Sequence, residues 1–360
     1  MSNIKTQKNN LQLTINKLHL LTKLTQEVIT MPIPRKALVS LDNTPNYHVV
    51  SRCVRRSYLF GVVDNKDFSH RRDAIVERLA ELTQLFCIDI SAYAIMSNHY
   101  HLVIRIQKHR AIALSLTEVA QRWTQLYCLP CLAQRFAANE SLTDAESVQA
   151  IQQIEERRSR LYDLSWFMRC LNEPIARMAN QEDDCTGRFW EGRFKSQALL
   201  DEKAELQAMA YVDLNPVRAK AAQSLEDSDF TSIQARCTHS VSPMAALLLP
   251  FSKSLTHNNM KTRDKNFDKE HIAYNFDDYI QLVEWTGRQI KDGKKGFISS
   301  DVRSVLDALQ MNQEAWVSNC IALEKYYRRA IGCAARMKDF CGKTKQQRIV
   351  GIAAARRAFG

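Results

Sequence analysis

The sequence predicts an α+β fold: an antiparallel sheet with the ferredoxin-like split βαβ order, a helical insert and a helical C-terminal extension. Three observations predict it. Short alternating segments at 47–52, 88–96 and 101–106 read as strands, with a helical period between the first two and a turn between the last two. Residues 110–180, within an insert of about 107–180, read mostly as helix. A fourth strand and a further helix follow, and helical periods return from Tyr279 to Gly360.

Each element has a local reason. Residues 1–37 are polar and end at Pro32 and Pro34, which predicts a mobile N-terminal arm. Tyr47-His48-Val49-Val50-Ser51-Arg52 alternates and reads as a strand. Ile75, Leu79, Leu82 and Leu85 recur at helical spacing over Phe68 to Leu85. Ile88 to Met96 is the second strand, Ser97-Asn98 the turn, and His101 to Ile106 the third strand. Within the insert, Leu142-Thr143-Asp144 offers a helix start. Phe194 to Leu199 is the fourth strand, and Asp201 caps a helix that carries Tyr211 and stops near Pro216. Residues 38–236 thus form one domain, 237–275 read as a linker, and 276–360 form a helical C-terminal domain.

Bulk properties narrow the function. The 360 residues hold 50 Lys and Arg against 39 Asp and Glu, a net charge of +11, which favours a polyanionic partner. No apolar run approaches the roughly 20 residues that span a bilayer. The N-terminus lacks the compact apolar core of a secretory signal. Ten cysteines without framework spacing read as reduced thiols, so the expectation is a cytoplasmic protein. Cys128 and Cys131 form a lone CxxC with no second pair to complete a zinc site. The absence of a glycine-rich phosphate loop argues against a nucleotide-driven motor.

Three groups of residues carry chemistry. His99 and His101 lie two apart at the start of a strand, so both imidazoles project from one face and can hold one metal ion. A packed histidine pair is the plainer reading of the same pattern. Tyr211 sits on the late helix, where a tyrosine is commonly half-core, but its hydroxyl can act as a covalent nucleophile. Asn215, one helical turn further on, offers a hard amide oxygen that suits Mg²⁺ or Mn²⁺, although Asn before Pro is also a common helix stop. Arg188, Trp190, Arg193 and Lys195 interleave charge with aromatic rings, a pattern that suits single-stranded DNA or simply an exposed strand face.

Taken together, the words Tyr47-His48-Val49-Val50-Ser51-Arg52-Cys53, Met96-Ser97-Asn98-His99-Tyr100-His101-Leu102-Val103, Gly187-Arg188-Phe189-Trp190-Glu191-Gly192-Arg193-Phe194-Lys195-Ser196-Gln197-Ala198-Leu199 and Tyr211-Val212-Asp213-Leu214-Asn215-Pro216-Val217-Arg218-Ala219 resemble the HUH single-tyrosine transposases. The likeness is to the insertion-sequence-200-like group and the REP-associated tyrosine transposases of bacteria. It covers about residues 40–220, with the words in family order.

The resemblance implies a catalytic domain that cleaves and rejoins single-stranded or hairpin DNA through a 5′-phosphotyrosine. It implies Tyr211 as nucleophile, His99, His101 and Asn215 as ligands of a divalent metal, Mg²⁺ or Mn²⁺, and Arg52 with the basic-aromatic segment as DNA contacts. It also implies a bacterial, nucleoid-associated protein and a possible homodimer. Tyr100 departs from the aliphatic middle residue of the HUH formula, and the insert and C-terminal extension exceed the minimal enzymes. Two other readings stay open: a non-catalytic DNA-binding regulator, and a metal-dependent nuclease that uses water.

Overall fold

The computed structural model describes residues 39–54, 57, 59–63, 66–238, 242–252, 270–292, 300–344 and 348–359; the expected N-terminal arm lies outside them. The first strand, β1 (Asn46–Arg52), is buried along its middle. A two-residue hairpin follows, β2 (Val62–Val63) with β3 (Lys66–Asp67). Helix α1 (His70–Leu85) buries Ile75, Leu79, Leu82 and Leu85, as the period predicts. Strands β4 (Ile88–Ile95) and β5 (His99–Ile106) form the hairpin, and β4 is buried throughout.

The insert is helical: α2 (Lys108–Ala113), α3 (Leu116–Thr124), α4 (Cys131–Ala137), α5 (Asp144–Arg160) and α6 (Leu164–Glu182). Capping boxes start α3 at Ser115 and α5 at Thr143, each closed by a glutamate three residues on. Val119, Trp123, Leu129, Ala133, Ile154 and Leu161 form a small core of their own there. Strand β6 (Lys195–Leu199) leads into α7 (Glu202–Asp213), capped by Asp201, whose carboxylate accepts the Ala204 N–H.

The C-terminal part adds α8 (Asn215–Arg218), α9 (Ser232–Cys237), α10 (Phe276–Asp292), α11 (Ser300–Ala308), α12 (Gln313–Tyr326), β7 (Ala330–Ile331), α13 (Ala334–Lys343) and α14 (Ile352–Phe359).

The five-stranded sheet has the order β4-β5-β1-β6-β7. β1 pairs antiparallel with both β5 and β6, and β5 pairs antiparallel with β4. β1 and β4 therefore run the same way with β5 between them. The two-residue β7, which no sequence pattern marks, adds in parallel beside β6. On one face Tyr100 donates its hydroxyl to Asn172 of α6, so this side chain packs away from the histidines. The other face is covered by α7, where Glu205 takes a bidentate contact from Arg105 and further hydrogen bonds from Ser91 and Asn46.

The segment expected to be a linker is tied to the sheet where it is described. Leu248 bridges Ile90, Phe251 bridges Ile272, and all four are buried. Its apolar Leu247–Phe251 run covers the open edge of β4, an edge that would otherwise expose unpaired backbone. The C-terminal helices share the main core through Trp285, Trp316 and Leu323. Among the described residues, those from 39 to 359 accordingly fall in one compact unit.

Candidate active site

The register brings the site together. Val50 lies opposite His101, Arg52 opposite His99, and His48 opposite Gln197 on the other neighbour. With side chains alternating along each strand, His48, Arg52, His99, His101, Lys195 and Gln197 all project from the α7 face. His99 and His101 meet edge to face with ring centroids 4.9 Å apart, as the two-residue spacing predicts. His48 meets His101 edge to edge, with ring centroids 5.1 Å apart and the planes only 6° from parallel.

Tyr211 comes down from α7 onto these rings. Its centroid is 5.7 Å from that of His101 and 5.8 Å from that of His48, edge-on to both. Beneath it, the Arg218 guanidinium lies 3.8 Å from the ring centroid and donates to the Tyr211 and Cys320 carbonyls. Burial pushes the Tyr211 hydroxyl up to about 12; Arg218 works against that shift, and Glu324 adds to it.

Glu324, near the end of α12, joins the cluster without any signal in the sequence. Its Oε2 accepts from Arg52 at 2.6 Å, and its Oε1 is buried without a hydrogen-bond partner, 3.7 Å from His101 Nδ1. Burial alone would raise this carboxyl, but His48, Arg52 and His99 hold it below its ordinary value. Burial also lowers both His48 and His101, the latter well below the usual range. The result is two neutral imidazoles beside an ionised carboxylate.

His48, His101 and Glu324 bring one donor atom each within 4.8 Å of one another and could hold a metal ion. The donor chemistry fits a divalent cation: imidazole nitrogen lone pairs and an anionic oxygen. This group differs from the expected His99, His101 and Asn215. His99 stands at its rim, edge-on to His101. Asn215 opens α8 directly after Leu214, the residue that closes α7. Its side-chain Nδ2 is buried and unpartnered.

The expected DNA contacts divide. Arg188, Arg193 and Lys195 are exposed. Arg52 is instead committed to Glu324. Trp190 is packed: its indole N–H donates to the Asn172 carbonyl and its ring touches Phe60, Tyr100 and Phe189. The ring is packed on these sides and half-buried. The centre itself is deep, with His48 at 0%, His101 at 1% and Tyr211 at 7% exposure; the half-buried His99, Arg52 and Glu324 form its mouth.

His48 and Glu324 escape sequence reasoning for different reasons. His48 sits in an alternating strand word, but only the strand pairing shows that it faces His101. Glu324 lies in a helix more than a hundred residues after Tyr211, with no local pattern to mark it. Cys128 and Cys131 are exposed free thiols away from this centre.

The chain matches no family model and no curated protein. Among solved structures it is similar to a REP-associated tyrosine transposase bound to a REP hairpin, at 12% identity over 58% of this chain and 86% of that chain, with a TM-score of 0.35. Among the described residues no helix is long and apolar enough to cross a membrane.

Proposed function

We propose that this protein is an HUH-type single-strand DNA endonuclease and transposase-like enzyme, built on a ferredoxin-like core, with Tyr211 as its nucleophile. One observation carries the reading: the two histidines of one strand and the tyrosine of a distant helix, far apart in the chain, meet in a single cluster of rings. The four main strands, in the order β4-β5-β1-β6, support the ferredoxin-like core.

In this reading His101, His99 and Glu324 hold a divalent cation, Mg²⁺ or Mn²⁺, and Asn215 is left outside the ligand set. Once bound, the cation withdraws charge from the non-bridging oxygens of a scissile phosphate. The chain supplies the rest. Arg218 fixes the Tyr211 ring from below and favours its ionised form by charge. Arg52 at the mouth offers a guanidinium to a phosphate that displaces Glu324 Oε2 from it. Lys195, Arg193 and Arg188 extend this positive rim. Lys325 and Arg328 are also exposed at the same end of the sheet, since β7 runs parallel to β6. They give an unpaired strand a basic approach.

The Tyr211 oxygen then attacks phosphorus in line. The new P–O bond forms as the bond to the 3′ oxygen breaks; the phenol gives up its proton as it attacks, and the departing 3′ oxygen takes one up to leave as a hydroxyl. The 5′-phosphotyrosine conserves the ester energy, so a later hydroxyl can rejoin the strand without a nucleotide cofactor.

The deep burial of both imidazoles favours one rival, a DNA-binding regulator of the same shape that no longer cuts. Incubating wild type and Tyr211→Phe with Mn²⁺ and end-labelled hairpin-bearing single strands separates the two. Wild type is expected to yield a denaturant-resistant protein–DNA adduct and the variant none. Binding without cleavage by wild type would establish the regulator.

A further inference from the structure

We propose that His48 and Gln197 form a relay that fixes the tautomer of His101, so that its Nε2 lone pair is the atom presented to a divalent cation. This rests on the reading of His101 as a metal ligand. The relay begins at an atom with one possible role. The Tyr327 backbone carbonyl can only accept, and Gln197 Nε2 donates to it at 2.6 Å. That hydrogen bond settles which way the Gln197 amide faces. Its Oε1 must then accept, and the atom 2.7 Å away is His48 Nδ1, which therefore carries a hydrogen.

His48 is fully buried and has no carboxylate in hydrogen-bond contact, so its ring stays neutral and its Nε2 is a lone pair. His101 Nδ1 lies 2.9 Å from that lone pair and must donate to it. A neutral His101 protonated at Nδ1 has its remaining lone pair at Nε2, which makes no hydrogen bond among the described residues.

The register explains why the line exists. Gln197 sits directly across β1 from His48, while His48 sits diagonally from His101 because Val50 occupies the opposing position. Three polar side chains thus line up across three neighbouring strands on this face. Buried polar groups of this kind are costly unless each is satisfied, and here every link is. A ligating histidine held through its second nitrogen is fixed in orientation and made a better donor. In this assignment His48 is a positioning residue rather than a ligand.

The test is long-range ¹H–¹⁵N correlation on the full-length, metal-free protein labelled with ¹⁵N-histidine, at about pH 7.5, where neutral imidazole prevails. His48 and His101 are both expected to carry their proton on Nδ1; a proton on Nε2 of either ring would overturn the relay. Mn²⁺ calorimetry provides a second arm. Gln197→Leu should weaken binding by about 10–100-fold. Gln197→Glu, which keeps an acceptor facing His48, should recover most of that loss. Wild-type affinity in a folded Gln197→Leu protein would contradict the proposal, and if that variant does not fold the wild-type spectrum decides alone. Reversed tautomers in a protein that still forms the DNA adduct would remove the relay only. The expected tautomers in a protein that forms none would support the relay and remove the nuclease.

Discussion

The Glu324 carboxylate lies 2.6 Å from Arg52 Nη2, joining the end of a C-terminal helix to the last residue of the first strand. Both side chains keep about a quarter of their surface, so the pair closes the mouth of the histidine cluster without sealing it. The C-terminal region therefore contributes a residue to the centre.

Removing that residue gives the first prediction. Glu324→Gln takes away the anionic oxygen and the partner of Arg52. Mn²⁺ affinity measured by calorimetry should fall at least about 10–100-fold, the range typical of disturbing a metal ligand's surroundings. Unchanged affinity would assign Glu324 to the mouth alone.

Arg218 gives the second. Its guanidinium bridges two backbone carbonyls under the Tyr211 ring, deep in the core. Arg218→Leu should destabilise the protein by about 2–4 kcal/mol in urea unfolding, because two acceptors are left unpaired and the cation–π attraction disappears. It should also raise the Tyr211 ionisation midpoint further in a spectrophotometric titration, because Arg218 is the group that lowers it most.

Asp213 sets a pH dependence. It accepts from Ser232, Ile233 and Tyr279, yet burial pushes its carboxyl from 3.8 up to about 6. A raised acid binds more protons folded than unfolded. Its contribution is therefore full below pH 3.8 and is lost as pH rises through about 6. The ionisation penalty at neutral pH is about 3 kcal/mol. Asp213→Asn removes this titration, so the stability difference between variant and wild type should change by about that amount between neutral pH and about pH 4. The buried histidines act in the opposite sense: their lowered values give stability that is present above pH 6.5 and lost as pH falls below it. Comparing the variant with wild type cancels that shared term.

The basic-aromatic segment should split into two behaviours. Arg193→Ala and Lys195→Ala, on exposed side chains, should leave stability within about 0.5 kcal/mol. Each phosphate left without its cation should lower the salt-dependence slope of single-strand binding by about 0.7. Trp190→Ala should instead cost about 3 kcal/mol by emptying a packed aromatic cluster. Equal effects on binding and none on stability would return Trp190 to the DNA surface.

Much of the fold is legible in the sequence because its signals are local. The alternation in Tyr47–Arg52, the turn at Ser97-Asn98, the period of Ile75, Leu79 and Leu82 and the Asp201 cap each act over a few residues, and the elements follow them. The His99–His101 pair is legible for the same reason. Pairing information is not: that His48 faces His101 depends on a register between strands some fifty residues apart. Glu324 depends on where a C-terminal helix lands. The packing of Trp190 is equally hidden: its neighbours in sequence are exposed arginines, while its neighbours in space are Phe60, Tyr100 and Phe189.

The central claim is that the phenol of Tyr211 forms the covalent bond to DNA. The most direct measurement is mass spectrometry of the proteolysed adduct formed with Mn²⁺ and a hairpin-bearing single strand. The account predicts one nucleotidyl-peptide, with the 5′ phosphate on Tyr211. Cleaved DNA with no modified peptide, or a nucleotide mapped to any other side chain, would contradict it.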